Sequence, residues 1–167
     1  MANSSRILVV YYSRSGTTRK IAESLSQALN CDIEEIVEPN SRAGFFGYVR
    51  SLVEAVQKRP STILPGKSDP SSYDLVIIGT PVWAGAISSP VCAYLMTKRE
   101  RLPELAFFCT LGARGSESAF RQLQSLTGKI PRAVCAVTAR EVTSASYGPR
   151  LASFAKTLDP SVLVTGG

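Results

Sequence analysis

Residues 7–29 read ILVVYYSRSGTTRKIAESLSQAL. Ile7 to Tyr12 is an unbroken apolar run rich in β-branched and aromatic side chains, as a strand buried on both faces requires. Thr17 to Leu29 places Ile21, Leu25, Ala28 and Leu29 at i, i+4, i+7 and i+8, which is one stripe of an amphipathic helix. A short polar loop joins the two. A doubly buried strand that feeds such a helix belongs to a parallel sheet covered by helices on both faces, so the expected class is α/β.

The same alternation continues outward. Cys31 to Val37 reads as an outer strand, because Ile33 and Ile36 are mixed with Asp32, Glu34 and Glu35. The pattern loosens between Pro39 and Pro70, where Phe45, Val49, Leu52, Val53 and Val56 keep helical spacing and predict a helix at about Gly44 to Lys58. Tyr73 to Gly79 is the next strand, apolar without interruption from Leu75 to Ile78. Ser88 or Ser89 is expected to cap the following helix, with Pro90 at its first position and Val91, Tyr94 and Leu95 on its inner face. Leu105 to Thr110 is strand four and Ala133 to Thr138 strand five. Between them Ser116 is expected to cap a helix carrying Phe120, Leu123 and Leu126, and Leu151, Phe154, Ala155 and Leu158 mark a terminal helix. Neither repeats nor a linker interrupt this series, so residues 1–167 are expected to form a single domain.

Composition narrows the function. With 44% hydrophobic and 19% charged residues over 167 positions, the chain is globular rather than disordered or fibrous. Its apolar runs are far shorter than the ~20 residues of a membrane-spanning helix, and Arg6 with a six-residue apolar run makes no signal peptide, so a cytoplasmic protein is expected. It contains no histidine, which excludes histidine-dependent catalysis. Cys31, Cys92, Cys109 and Cys135 have no zinc spacing and read as small buried hydrophobes, so no metal site is expected. The net charge of +6 suits an anionic ligand, an acidic partner or nucleic acid alike.

In a doubly wound sheet the ligand crevice lies outside the carboxyl ends of the strands, where strand order reverses. Three loops qualify. Ser13-Arg14-Ser15-Gly16-Thr17-Thr18 sets four hydroxyls and a glycine before a helix, a cradle for one phosphate. It lacks both G-x-x-x-x-G-K-[ST] and G-x-G-x-x-G, so a monophosphate fits best. Thr80-Pro81-Val82-Trp83-Ala84-Gly85 presents the only tryptophan, which can cover a planar ring or simply fill a gap beside the next helix. Thr110-Leu111-Gly112-Ala113-Arg114-Gly115 offers two glycines for close backbone approach and one cation, although alone it would be an ordinary strand-to-helix turn.

VVYYSRSGTTRKIAESL, from Val9 to Leu25, resembles the flavodoxin signature at Val9, Val10, Tyr11, Ser13, Gly16, Thr18, Ala22 and Leu25. GTPVWAGAISSPVCAYL and FCTLGARGSESAF are similar to the second and third flavin loops of flavodoxin-like proteins. The resemblance implies a five-stranded parallel sheet in the order 2-1-3-4-5 and non-covalently bound FMN. It implies that Ser13, Ser15, Gly16, Thr17 and Thr18, with Arg14 beside them, hold the phosphate. Thr80 to Gly85 and Thr110 to Gly115 would embrace the isoalloxazine, with Trp83 flanking it.

The implied function is electron transfer through FMN to a redox partner protein or a small-molecule acceptor, with no side chain acting as catalytic acid or base. Flavodoxin carriers are typically acidic and often stack an aromatic residue of the third loop on the flavin. This chain is basic, and Leu111 to Ser116 holds no aromatic residue. The alternative is therefore an NAD(P)H-dependent FMN or quinone reductase of the same fold. Other families of this architecture fail on single residues. A response regulator needs an acceptor Asp where Gly79 stands, and a low-molecular-weight phosphatase needs C-x5-R, whereas Cys109 to Arg114 is one residue short. Lys98, Arg99 and Arg101 keep a nucleic-acid- or protein-binding module in view, but without an aromatic platform they read as a solvated helix end.

Overall fold

A computed structural model describes residues 4–39 and 62–162 of the chain. The helix expected at Gly44 to Lys58 lies outside the described residues. The strands are β1 Ile7–Tyr11, β2 Asp32–Glu35, β3 Leu75–Trp83, β4 Ala86–Ile87, β5 Glu104–Leu111 and β6 Val134–Thr138. The helices are α1 Thr17–Leu29, α2 Ser89–Lys98, α3 Ser116–Thr127, α4 Ala139–Thr143 and α5 Gly148–Leu158. The sheet runs β2-β1-β3-β5-β6 with every pair in that path parallel, and β4 pairs antiparallel with the end of β3. This is the doubly wound α/β fold and the 2-1-3-4-5 order expected from the sequence, enlarged by the two-residue β4.

Burial explains the strand runs. All five residues of β1 and the first eight of β3 are buried, because each face of the sheet is covered. Val9, Ile77 and Phe108 face a core closed by Ile21 and Leu25 of α1 and by Leu151, Phe154 and Leu158 of α5. Leu8, Val10, Val76 and Phe107 face the opposite core, closed by Val91, Tyr94 and Leu95 of α2 and Leu123 of α3. Gly79 has a packing role, since a methyl group there would overlap the Phe108 ring across the β3–β5 ladder. The helices after β1 and β3 thus lie on opposite faces, which makes the β1–β3 junction the switch point.

Several boundaries differ from expectation for identifiable reasons. β1 stops at Tyr11, while β3 continues to Trp83, so Thr80 to Trp83 are strand rather than loop. Thr80 and Pro81 are carried by the ladder to Cys109 and Thr110 of β5, and Val82 and Trp83 by β4. The ladder to β1 ends at Gly79, leaving the one-sided edge on which a strand proline is tolerated. Thr110 and Leu111 likewise belong to β5. The Ser88 side chain does not cap α2, and α3 starts from Gly115 in the left-handed region (φ 106°), with Ser116 its first helical residue. On α1 the buried stripe is Thr18, Ile21, Ala22, Leu25 and Leu29, and Ala28 on its margin is exposed. The short α4 was not expected. Thr138 and Glu141 start it with a reciprocal capping box, a T-x-x-E signal present in the sequence. Of the cysteines, Cys109 and Cys135 are buried, but Cys31 and Cys92 are only half-buried, so the expectation of four core thiols holds for two.

Candidate functional site

Four contacts draw the three loops together at the carboxyl edge of the sheet. The Thr18 and Thr110 hydroxyls share a buried hydrogen bond of 2.7 Å, which ties the first loop to the third. The third loop meets the second where a Cβ on Gly115 would stand 2.8 Å from Gly85 Cα, a contact that only glycine permits. The first meets the second through Tyr12, whose ring is edge-on to Trp83 with centroids 6.5 Å apart, and through Arg14, whose guanidinium carbon is 5.8 Å from the Trp83 ring centre.

The first loop is shaped as an anion cradle. The Gly16 N–H donates to Ser13 Oγ at 3.1 Å, which tightens the turn and leaves the Ser13 hydroxyl hydrogen available to donate. Gly16 has φ 92°, and a Cβ there would meet nothing within 4 Å, so the space over the turn is open. The Lys20 N–H donates to the Gly16 carbonyl at 3.1 Å, so the N–H groups of Thr17, Thr18 and Arg19 precede the first intrahelical donor. No side chain caps α1 and no acid stands in its first turn, so its positive end is not neutralised locally. Ser15 Oγ and Thr17 Oγ1 lie 3.2 Å apart at the surface. This donor set fits a phosphate.

Not every hydroxyl expected in the cradle faces it. Thr18 is 1% exposed and its hydroxyl is engaged with Thr110 beneath the loop, so only its backbone N–H is placed for a ligand. Thr80 is wholly internal, donating to the Pro81 carbonyl at 2.8 Å and accepting from the Ser88 N–H at 3.1 Å. These bonds lock the end of β3 to the start of α2. Pro81 and Val82 are also buried.

The second loop is a two-residue hairpin. Trp83 pairs with Ala86, and the intervening Ala84 and Gly85 have φ 51° and 75°, the left-handed pair of a type I′ turn. Ala84 is strained there, since a side chain rarely adopts such a φ. The hairpin holds Trp83 outward at 45% exposure, leaving nearly half of a large aromatic surface for a ligand. Gly112, Ala113 and Arg114 of the third loop are exposed, and a Cβ on Gly112 would meet nothing within 4 Å. Tyr12 was not expected in this group, because it reads as the last residue of an apolar strand. Its phenol donates to Glu38 Oε2 at 2.9 Å, and burial together with the Glu38 carboxylate pushes its pKa well up, keeping it protonated. A separate groove of about 420 Å³ runs between β6 and α5, lined by Val134, Ala136 and Phe154 among others, and none of the three loops lines it.

The sequence profile described as flavodoxin matches residues 6–138, which is most of the chain. The chain belongs to the flavodoxin family. No curated protein sequence matches this flavodoxin. Among solved structures it is similar to a flavoprotein from Lactobacillus acidophilus in complex with FMN, at 24% identity and a TM-score of 0.67, with 85% of this chain and 99% of that one covered. It is also similar to a candidate flavoprotein from Bacteroides eggerthii, at 22% identity and a TM-score of 0.68, covering 87% and 98% of the two chains. A third likeness is to the two-electron-reduced flavodoxin of Megasphaera elsdenii, at 15% identity and a TM-score of 0.57, covering 90% and 96%. At these identities the likeness is one of fold. Among the described residues of this flavodoxin, no helix is long and apolar enough to cross a membrane.

Proposed function

We propose that this flavodoxin, as one domain spanning its 167 residues, binds FMN without a covalent bond and passes electrons through it from a reductant to a partner protein or small-molecule acceptor. The observation that carries this reading is the uncapped, acid-free start of α1 under an open glycine turn, in a loop whose Arg14 lies over an outward-facing Trp83. One site thereby offers donors for a monophosphate and an aromatic surface for a planar ring, the two ends of FMN. FMN is the ligand of the Lactobacillus relative. When bound, it supplies the redox chemistry. The chain's own residues bind and orient it: Ser13, Ser15, Gly16 and Thr17 with the α1 amides at the phosphate, Arg14 beside them, and Trp83 to Gly85 and Gly112 to Gly115 around the ring. Thr18, Thr80, Pro81, Val82, Thr110 and Leu111 hold those segments in place from below. We assign the protein to the cytoplasm, a reading supported by four cysteines that are all free thiols.

A second reading, an NAD(P)H-dependent FMN or quinone reductase, is favoured by the third loop. Its exposed Gly112, Ala113 and Arg114 include no aromatic side chain to occupy the adjoining face, which leaves room for a hydride donor and an acceptor in turn. Anaerobic titration of the FMN-loaded protein with NADH and NADPH separates the two. Stoichiometric bleaching of the flavin absorbance supports the reductase, and no bleaching with ready reduction by a chemical reductant supports the carrier.

A further inference from the structure

We infer that Gln122 is a positioning residue of the candidate site, its side-chain amide clamping the hairpin that carries Trp83. The inference deepens the proposed function and rests on it where FMN is concerned, but its structural half stands alone. Gln122 lies on α3, half-buried and outside all three loops. Its Nε2 donates to the Gly85 carbonyl at 2.9 Å and to Ser118 Oγ at 3.2 Å, while its Oε1 accepts from the Ile87 N–H at 3.2 Å. One amide therefore holds a backbone acceptor in the turn and a backbone donor in the returning strand. Only one orientation of the amide satisfies all three contacts, because the carbonyl of Gly85 can only accept and the N–H of Ile87 can only donate.

The hairpin needs such an anchor. Its second strand is the two-residue Ala86–Ile87, its turn contains a strained Ala84, and its ladder to β3 consists of two residue pairs. A hairpin this short is not stable by itself. The Gly115–Gly85 approach supplies steric contact from the same side, and Gln122 adds the direction-specific bonds. Since Trp83 is the residue directly before the turn, the placement of its ring follows the placement of the turn.

The test uses Gln122→Met, which keeps length and bulk but removes both polar ends, and Gln122→Glu, which keeps an acceptor for Ile87 and sets a carboxylate against the Gly85 carbonyl. In the protein without FMN, amide hydrogen exchange of residues 83–88 should quicken several-fold in Gln122→Met while the rest of the sheet and the thermal midpoint stay near the parent. In Gln122→Glu the protection of residues 83–88, taken relative to the intrinsic exchange rate at each pH, should rise again on acidification, as the protonated carboxyl regains a donor, whereas in Gln122→Met that protection should stay low at every pH. With FMN, Gln122→Met should weaken binding by about two- to tenfold, the equivalent of one net hydrogen bond. It should also raise the emission of the bound flavin. Combined with Trp83→Ala it should add nothing to that emission, since both changes act through one ring. Unchanged exchange at residues 83–88 overturns the clamp. Quickened exchange with unchanged flavin affinity and emission overturns its role in the site. A parent protein that fails to bind FMN sinks the proposed function instead and leaves the exchange result to decide the clamp.

Discussion

Thr18 and Thr110 are 92 residues apart in sequence, yet their buried hydroxyls lie 2.7 Å from each other and join the start of α1 to the end of β5. The bond fixes the phosphate-cradle loop relative to the third loop, so the two sides of the candidate site share one rigid floor. It also changes the reading of Thr18, from a ligand donor to a support.

The pair makes a specific stability prediction. Thr18→Val keeps the shape of the side chain but strands the Thr110 hydroxyl in the core, at a cost of about 1 to 3 kcal/mol. Thr18→Val/Thr110→Val removes both polar groups and should recover part of that loss. Urea unfolding of the four proteins in the cycle measures it; a strictly additive double variant would mean that the hydroxyls do not interact.

The phosphate end of the site is tested by comparing FMN with riboflavin. FMN should bind far more tightly, and Ser15→Ala should cost about 1.5 to 3 kcal/mol of FMN affinity, the range for a hydrogen bond to a charged group. Riboflavin affinity should not respond to that variant. Isothermal titration of both ligands against both proteins is sufficient, and equal affinities in the parent would refute the cradle.

What the sequence revealed of this site depended on distance along the chain. Local patterns were legible: the apolar run of β1, the stripe of α1 and the Gly16 turn can be read because each signal lies within a few residues. The extension of β3 through Thr80, Pro81, Val82 and Trp83 was not, because Gly79, Thr80 and Pro81 look like strand-breaking punctuation and only pairing with β5 and β4 keeps them extended. The Ala84–Gly85 turn was hidden for a related reason, since alanine is not a residue that announces a left-handed position. Gln122, on a helix surface where glutamine is ordinary, carried no local signal at all.

Trp83 should report directly on the ring it is proposed to cover. As the only tryptophan, it makes emission changes on ligand binding assignable to one residue. Trp83→Ala should weaken FMN by about 1 kcal/mol beyond the area lost and raise the fluorescence of the bound flavin. An affinity and an emission both equal to the parent's would reduce Trp83 to a packing partner of Tyr12 and Arg14.

Charge connects the site to its redox role. Reduction places negative charge on a flavin, and a cation nearby favours the reduced form. Arg114 is the cation of the third loop, and it is exposed, so water and salt weaken its field. Arg114→Gln should therefore lower the two-electron potential of the bound FMN only modestly, on the order of 20 mV at low ionic strength. The difference should shrink as salt rises, because the screening length falls from ~30 Å at 0.01 M to ~8 Å at 0.15 M. Potentiometric titration of parent and variant at both ionic strengths distinguishes this from a conformational effect, which salt would leave in place. Identical potentials at low salt would show that the Arg114 charge does not act on the flavin.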